Sequence, residues 1–410
     1  MDHAKKLWIS VLLAGLLIAT PIARADAVIE WNNHVCEWAG PATFDTPTAN
    51  RALAIMHTAI YLAVNSITKK YPDSELKVDA PPGASVDAAI AAASRSTLLQ
   101  LVPSRSKDIE SAYQESLAKV ADERSRTAGI AVGERAAAVV LAARKDDGSS
   151  AVETYRPYTI PGVYVPTVLP LISQWPNRKP WFMSSASQFR PGPPPDLKSE
   201  IWARDYNEIK TIGKKVSSNR TPEQTAIATF WEATGPAIYH GLVRSYADKP
   251  SRDITENARL YMAVTQAMDD ALISVFDAKY HYNFWRPVTA IRNGDIDGND
   301  ATARDPSWTP FITTPMHPEY PCAHCILSAT VGTLLQAELG NGEMPVLSTK
   351  SPTAENKERK WAKLEDFILE VANGRIYDGV HFRNSTEVGT AMGRQIGNLA
   401  AERHFAVRKP

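Results

Sequence analysis

A helical spacing of apolar residues runs through most of the chain and limits the folds that it can adopt. In residues 48–67, Leu53, Met56, Ile60 and Ala63 recur at intervals of three and four, as one face of an α-helix requires. No segment shows the convincing alternation that is typical of a strand. We therefore predict an all-α fold, with a single domain over residues 26–410 that is built from helical bundles. The further predicted helices cover residues 85–101, 107–122, 126–144, 196–212, 254–285, 322–339, 354–373 and 385–405, and another begins at 219–221.

Residues 155–195 interrupt this pattern. They are rich in proline and contain Trp175, Trp181 and Phe182, which need apolar partners. A long irregular segment of this kind is uncommon in a compact domain unless it has a function. We predict that it wraps around the core or forms one wall of a pocket.

The charge balance excludes some classes of partner. The 410 residues include 45 Lys and Arg against 45 Asp and Glu, so the formal net charge is zero. A neutral chain has no overall field that attracts nucleic acid or an anionic membrane. The three cysteines are too few for a disulfide-dense scaffold.

The first 25 residues are typical of a secretory signal peptide. Lys5 and Lys6 precede an apolar run, and residues 23–25 form an A-x-A cleavage site. We predict export to a periplasm or secretion, with an uncleaved anchor as the alternative. No later stretch is long and apolar enough to span a bilayer, so no membrane span is expected after cleavage.

The first of three notable segments contains two cations. Lys279 and Arg286 are seven residues apart, which places both on one face if a helix continues through them. Pro287 favours an end of that helix at Arg286. The cations need an anion between them, and salt bridges to nearby acids such as Asp277 are the simpler alternative.

Two further segments contain histidines. Residues 317–325 lead into a predicted helix, whose free N–H groups favour anions and whose first turn includes His324. Residues 375–383 connect two predicted helices and contain Arg375 and His381. Each segment alone is a weak signal. Together, three cations, a helix N-terminus and two histidines indicate a site for a tetrahedral or trigonal-bipyramidal oxyanion.

The three segments together resemble the signature of the vanadium-dependent haloperoxidases and the type 2 phosphatidic acid phosphatases. Lys279 is followed by six residues and Arg286-Pro287, and Arg375 by five residues and His381. Residues 321–324 are similar to the Pro-Ser-Gly-His segment of this superfamily. Residues 31–67, 317–321 and 376–383 look especially like its bacterial haloperoxidase-related members.

The resemblance implies an all-α fold of helical bundles and a bound vanadate, with phosphate as the alternative occupant. It implies that His381 binds vanadium, or acts as the nucleophile of a phosphatase, and that His324 is the acid/base partner. The implied activity is peroxide-driven halide oxidation; the alternatives are an acid phosphatase acting on phosphate esters and a non-catalytic oxyanion-binding relative. The residues implied to hold the equatorial oxygens are Lys279, Arg286 and Arg375.

The chain departs from this signature at several positions. Cys322 and Ala323, which by resemblance supply further hydrogen bonds to the oxyanion, replace serine and glycine. Gly374 replaces a second serine, and Ser385 replaces the aspartate that orients the histidine. Loss of that carboxylate predicts a less basic His381, with Asp378 as the candidate replacement.

Cys322 and Cys325 form a C-x-x-C motif beside this site. A free thiol near peroxide would be oxidised, and a helix N-terminus would favour the reactive thiolate. We predict that the two cysteines form a disulfide. The alternatives are a thioredoxin-like redox motif, which lacks its βαβ setting, and a zinc site, which lacks a second pair of ligands.

Overall fold

The computed structural model of the protein describes residues 26–39, 45–73, 75–217 and 219–405. These residues are mostly helical, and the predicted all-α class is confirmed. The predicted signal peptide lies outside the described residues. The helices are α1 (Ala27–Trp38), α2 (Thr46–Thr68), α3 (Val86–Leu101), α4 (Ser106–Ala118), α5 (Glu123–Ala143), α6 (Glu200–Ile212), α7 (Pro222–Trp231), α8 (Pro236–Ala247), α9 (Ile254–Tyr282), α10 (Pro287–Arg292), α11 (Ala323–Leu339), α12 (Leu364–Tyr377) and α13 (Arg383–His404).

Helix α9 is the central element of the structure. The Asp253 side chain accepts from the backbone N–H groups of Thr255 and Glu256, and the Glu256 side chain bonds back to the Asp253 N–H. This capping box fixes the start of the helix. The helix packs against α2 on one side and against α11 and α13 on the other. One apolar core therefore runs from the N-terminal helices to the C-terminal ones. The single domain remains a prediction.

The end of α9 differs from the sequence prediction. Asn283 has a left-handed backbone with a φ of 48°, and its N–H bonds to the carbonyl of Lys279. Asparagine tolerates this conformation better than most residues. The helix therefore ends at Tyr282, and Arg286 caps α10 instead. The prediction that Lys279 and Arg286 share a face of one helix is wrong.

A β-hairpin was not predicted. Strands β1 (Leu347–Ser351) and β2 (Lys357–Trp361) pair antiparallel, and their loop contains Glu355 and Asn356 with positive φ. The predicted helix at residues 354–373 is therefore wrong over its first half, and α12 begins only at Leu364.

The irregular segment wraps around the core, as predicted. Trp175 is buried, and the indole of Trp181 donates to Asp269 on α9 at 2.8 Å. Asp270 accepts from three consecutive backbone N–H groups, at residues 181–183. Buried charges thus attach a segment without regular structure to the central helix. We call the following residues the paired cluster: Arg51, Arg144, Arg178, Asp147, Asp269 and Asp270.

None of the helices in the described residues has the length and apolar character that a bilayer crossing requires. The structure therefore adds no candidate span to the predicted signal segment.

Candidate oxyanion site

Three stretches of chain that are distant in sequence meet between α9, α11 and α12. Lys279 lies in the last turn of α9, Arg286 precedes α10, and Arg375 lies in the last turn of α12. His381 stands in the connection between α12 and α13. All four residues are at most 1 % exposed. The structure thus brings the predicted cations and His381 into one buried region.

Lys279 is held by carbonyl groups. Its Nζ donates to the backbone oxygens of Pro318 at 2.9 Å and Glu319 at 2.8 Å. Burial, reinforced by the Arg286 guanidinium, holds the pKa of Lys279 well below its ordinary value. An additional anion would therefore favour the charged form of this side chain.

Arg286 joins the loop at 317–321 to the segment before α13. Its Nε donates to the His317 carbonyl at 2.9 Å, and its Nη1 donates to the Val380 carbonyl at 2.8 Å. Burial lowers its pKa to about 10. Asp277, the suggested salt-bridge partner, instead accepts two hydrogen bonds from Arg190, each at 2.7 Å. The simpler alternative, an ion pair of these cations with Asp277, is therefore not what the structure shows.

Arg375 bonds directly to a carboxylate. Among the described residues, it is the one cation of this site that does so. Its Nη1 donates to Asp378 at 2.6 Å and to the Trp231 carbonyl at 2.7 Å. Its buried Nε has no hydrogen-bond partner among the described residues. Burial raises the pKa of Asp378 to about 7, although Arg375 opposes the shift. The guanidinium therefore retains a donor for a further acceptor.

His381 is oriented by Glu319, a residue to which the sequence analysis assigned no role. The Oε1 atom of Glu319 lies 2.8 Å from Nδ1 of His381 and accepts from the Phe382 N–H at 3.0 Å. Arg286, which can only donate, approaches Nε2 of His381 at 3.4 Å. Both contacts place the proton on Nδ1 and leave a lone pair on Nε2.

This geometry corrects the expectation that Asp378 orients His381, and the expectation that His381 has lost its carboxylate partner. Asp378 does not replace the missing aspartate, because it bonds to Arg375. Ser385 Oγ lies 3.3 Å from Nδ1 of His381, but Glu319 supplies the carboxylate. Burial raises the pKa of Glu319 to about 7, although Lys279 and Arg286 oppose the shift. The available sequence signal was that Glu319 is the one acid in residues 317–325.

His324 lies in the first turn of α11. Its Nε2 is 3.1 Å from the Ala233 carbonyl, and its own carbonyl accepts from the Tyr239 hydroxyl at 3.3 Å. Burial, together with the Arg375 charge, holds the pKa of His324 well below its ordinary value. The ring is therefore neutral at neutral pH. The carbonyl partner places its proton on Nε2 and leaves the lone pair on Nδ1. Its acid/base role remains a prediction.

The start of α11 contains the other two predicted contacts. Cys322 is the N-cap, and its Sγ accepts from the Cys325 N–H at 3.3 Å. Ala323 begins the helix and is partly buried. Burial raises the pKa of Cys322, but the hydrogen bond from the Cys325 thiol and the charge of Arg375 outweigh this effect and lower it. A direct bond from Cys322 or Ala323 to an oxyanion remains a prediction.

A further histidine, His317, belongs to the same region. Its Nδ1 accepts from Nη2 of Arg286 at 3.0 Å, and its ring packs edge-on against Phe276. Burial and the Lys279 charge hold the pKa of His317 well below its ordinary value. This neutral ring supports the guanidinium without reducing its charge.

Known proteins resemble this chain in sequence and in fold. Residues 259–409 match the family model described as the VCPO second helical-bundle domain. Vanadium chloroperoxidase from Curvularia inaequalis is 26% identical in an alignment 416 positions long. The alignment covers 77% of this chain and 67% of that protein.

Solved structures extend the likeness to almost the whole chain. A bacterial vanadium-dependent iodoperoxidase superposes with a TM-score of 0.77 and 23% identity, covering 93% of this chain and 97% of its own. The apo form of a bacterial vanadium-dependent chloroperoxidase superposes with a TM-score of 0.71 and 17% identity. This match covers 90% of this chain and 97% of that one. The resemblance deduced from the three segments is confirmed.

Proposed function

We propose that this relative of the vanadium-dependent haloperoxidases is an oxidoreductase that uses peroxide to oxidise halide at a vanadate held by His381. One observation supports the proposal most strongly. Glu319 fixes the proton of His381 on Nδ1, so the unprotonated Nε2 lies beside Arg286 within a group of buried cations. A neutral imidazole nitrogen with an oriented lone pair is what a metal ligand requires.

The residues present fit a vanadate. Arg375 has an Nε without a partner among the described residues, and Lys279 is a buried cation bonded to carbonyls alone. Lys279, Arg286 and Arg375 would hold the oxygens, and His381 would supply the nitrogen ligand. When bound, vanadate supplies a Lewis acid that activates peroxide.

The protein contributes charge and proton positions to this chemistry. The three cations lie in a region from which water is largely excluded, so they stabilise negative charge more strongly than they would in solution. Glu319 retains the proton on Nδ1 of His381. Neutral His324 would exchange a proton with an oxygen of the bound group, as the acid/base partner that the resemblance implies.

The phosphatase alternative requires a nucleophilic histidine with a partner that orients it. Glu319 could fill that role as well, so the missing aspartate does not argue against hydrolysis. The likeness to haloperoxidases favours the oxidoreductase. Phosphate ester hydrolysis and oxyanion binding without catalysis are therefore alternative outcomes of the assay.

The assay uses the purified protein with and without orthovanadate. We expect peroxide-driven halogenation that requires vanadate. Phosphate release that vanadate inhibits would support a phosphatase instead, and oxyanion binding without either activity would support a non-catalytic relative. His381→Ala should abolish turnover, whereas the matched control His281→Ala, at an exposed position, should retain it. Full activity of His381→Ala would contradict the site assignment.

We also propose that the protein is exported to a periplasm or secreted. Lys5 and Lys6, the apolar run and the A-x-A sequence at 23–25 support this proposal. N-terminal sequencing of protein from fractionated cells should find a chain that starts at Asp26 outside the cytoplasm. A cytoplasmic chain that retains Met1 would contradict it.

A further inference from the structure

Cys322 and Cys325 lie closer together than two unbonded sulfur atoms normally do. Their Sγ atoms are 2.6 Å apart, although the structure contains both as free thiols. Cys322 is the N-cap of α11 and Cys325 lies three residues later, so both side chains lie on one side of the first turn. Neighbouring thiols at a helix N-terminus are the typical arrangement of reactive C-x-x-C motifs.

The surroundings hold the two side chains in place. Both cysteines are wholly buried, and they pack against Ala372 of α12. On the other side lies Gly389 of α13. A Cβ atom there would lie 2.6 Å from the Cys322 carbonyl oxygen and 3.2 Å from Cβ of Cys325. The helices therefore leave the two side chains little room to move apart.

The two sulfur atoms are not equivalent. Sγ of Cys322 accepts two hydrogen bonds from Cys325, one from its N–H at 3.3 Å and one from its thiol at 2.6 Å, and these donors stabilise negative charge on Cys322 when it ionises. Burial raises the pKa of Cys325 well above its ordinary value. Cys322 is therefore the nucleophile and Cys325 the resolving thiol.

We propose that Cys322 and Cys325 are a redox-active dithiol that hydrogen peroxide converts to a disulfide, and that this reaction weakens oxyanion binding at the adjacent site. Cys322 rests as a thiol; once it loses its proton, its sulfur attacks peroxide, so an S–O bond forms, the O–O bond breaks and the released hydroxide takes up the proton and leaves as water. Cys325 then attacks Sγ of Cys322, so the S–S bond forms, the S–O bond breaks and a second water leaves. Two thiols and one peroxide thus give one disulfide and two waters.

The effect on binding follows from the donor that is lost. A thiol has one weak S–H donor, whereas a disulfide has none. By resemblance, the residue at position 322 bonds to the oxyanion, so this part of the inference depends on the proposed site. The loss of one hydrogen bond predicts a three- to tenfold weaker affinity, on the order of 1 kcal/mol.

Thiol counting tests disulfide formation without vanadate or halide. Fully reduced protein has three thiols, and one equivalent of peroxide should leave one under denaturing conditions, with an intact mass lower by two hydrogen atoms. Cys36→Ala is the matched control, because Cys36 lies in α1 and bonds to Asn32. This variant should still lose two thiols. Persistence of all thiols, or loss of the Cys36 thiol instead, would overturn the proposal.

The consequence for the site is tested by calorimetry with inorganic phosphate. Reduced wild-type protein should bind phosphate three to ten times more tightly than the peroxide-treated form, and dithiothreitol should return the peroxide-treated form to the tighter affinity. Cys322→Ser, which cannot form the disulfide, should have the same phosphate affinity before and after peroxide treatment. Equal affinity of the two wild-type forms would overturn the regulatory part. A failed halogenation assay with a normal thiol count would affect the proposed function alone.

Discussion

The protein buries two groups of charges, and they are balanced differently. The paired cluster contains three arginines and three aspartates, of which Asp147 and Asp269 bond to arginines. Asp270 bonds to backbone N–H groups instead, and burial raises its pKa to about 7. Within it, Arg178 donates to Asp147 at 2.9 Å and to Asp269 at 3.0 Å. The oxyanion site also contains three cations but has two acids among the described residues, Glu319 and Asp378. Burial raises the pKa of both acids to about 7.

The partners of the cations explain what each group does. In the paired cluster, arginines and aspartates on different segments attach the irregular chain to α9. In the oxyanion site, the cations bond mainly to backbone carbonyls, and Glu319 bonds to a histidine. The first group stabilises the fold because its arginines form ion pairs with Asp147 and Asp269. The second retains positive charge that a small anion would neutralise.

The largest expected effect is on the paired cluster. Arg178→Met leaves Asp147 and Asp269 buried with one cation fewer, and removal of one partner from a buried ion pair costs about 3–5 kcal/mol. Urea unfolding followed by tryptophan fluorescence should show this decrease in the free energy of unfolding. The matched control Arg156→Met changes a side chain that is 78% exposed and should stay within about 0.5 kcal/mol of wild type. A loss below about 1 kcal/mol for Arg178→Met would remove the distinction between the two groups.

The second prediction applies the same kind of change to the oxyanion site. Lys279→Met removes a buried cation that has no carboxylate partner, so two carbonyls lose a donor while an uncompensated charge disappears. The free energy of unfolding without ligand should change by less than about 2 kcal/mol. With phosphate at a hundred times its wild-type Kd, wild type gains about 2.7 kcal/mol and the variant almost nothing. A loss as large as that of Arg178→Met would make Lys279 a structural residue.

The third prediction concerns Glu319 as a positioning residue. Glu319→Gln retains the size of the side chain but removes the charge behind His381, and changes of this kind typically cost about 10–100-fold in metal affinity or activity. Vanadate titration and halogenation rates both measure the effect. Ser385→Asp restores a carboxylate near Nδ1 of His381 and should recover part of the loss in the double variant. Unchanged vanadate affinity in Glu319→Gln would show that Glu319 serves only the fold.

Sequence predicted the residues of the site better than their geometry. The spacing of Lys279, Arg286, Arg375 and His381 was sufficient to select side chains that the fold brings together. It did not reveal Glu319, because the contact with His381 joins residues 62 positions apart and depends on the path of the loop at 317–321. The helix end at Asn283 was missed for a related reason, since its left-handed backbone is one local option among several.

The β-hairpin shows how tertiary contacts override local preference. Residues 354–363 are rich in Glu, Lys and Ala, which are strong helix formers. In the structure, Trp361 packs against Trp231 and Phe367, and its indole donates to Glu370. These partners lie outside the segment, and propensity alone therefore predicts the wrong element.

The smallest expected effect is the pH dependence that Asp378 gives to the oxyanion site. An ionised Asp378 neutralises Arg375, whereas a protonated one leaves its charge to the ligand. Because its pKa is raised from 3.8 to about 7, Asp378 also lowers the free energy of unfolding as the pH rises through this interval. Sulfate is the suitable probe, because its charge is constant between pH 6 and 8.

Asp378→Asn separates this titration from all others in the site. Wild type should bind sulfate up to about tenfold more weakly than the variant at pH 8, since one unit of pH corresponds to about 1.4 kcal/mol for one proton. The two proteins should bind it almost equally at pH 6, because protonated aspartate and asparagine are both neutral. Glu319 titrates in both proteins, so its contribution cancels in the ratio of their Kd values. A ratio that is constant from pH 6 to 8 would mean that Asp378 remains ionised and paired with Arg375, as Asp147 and Asp269 are paired with Arg178.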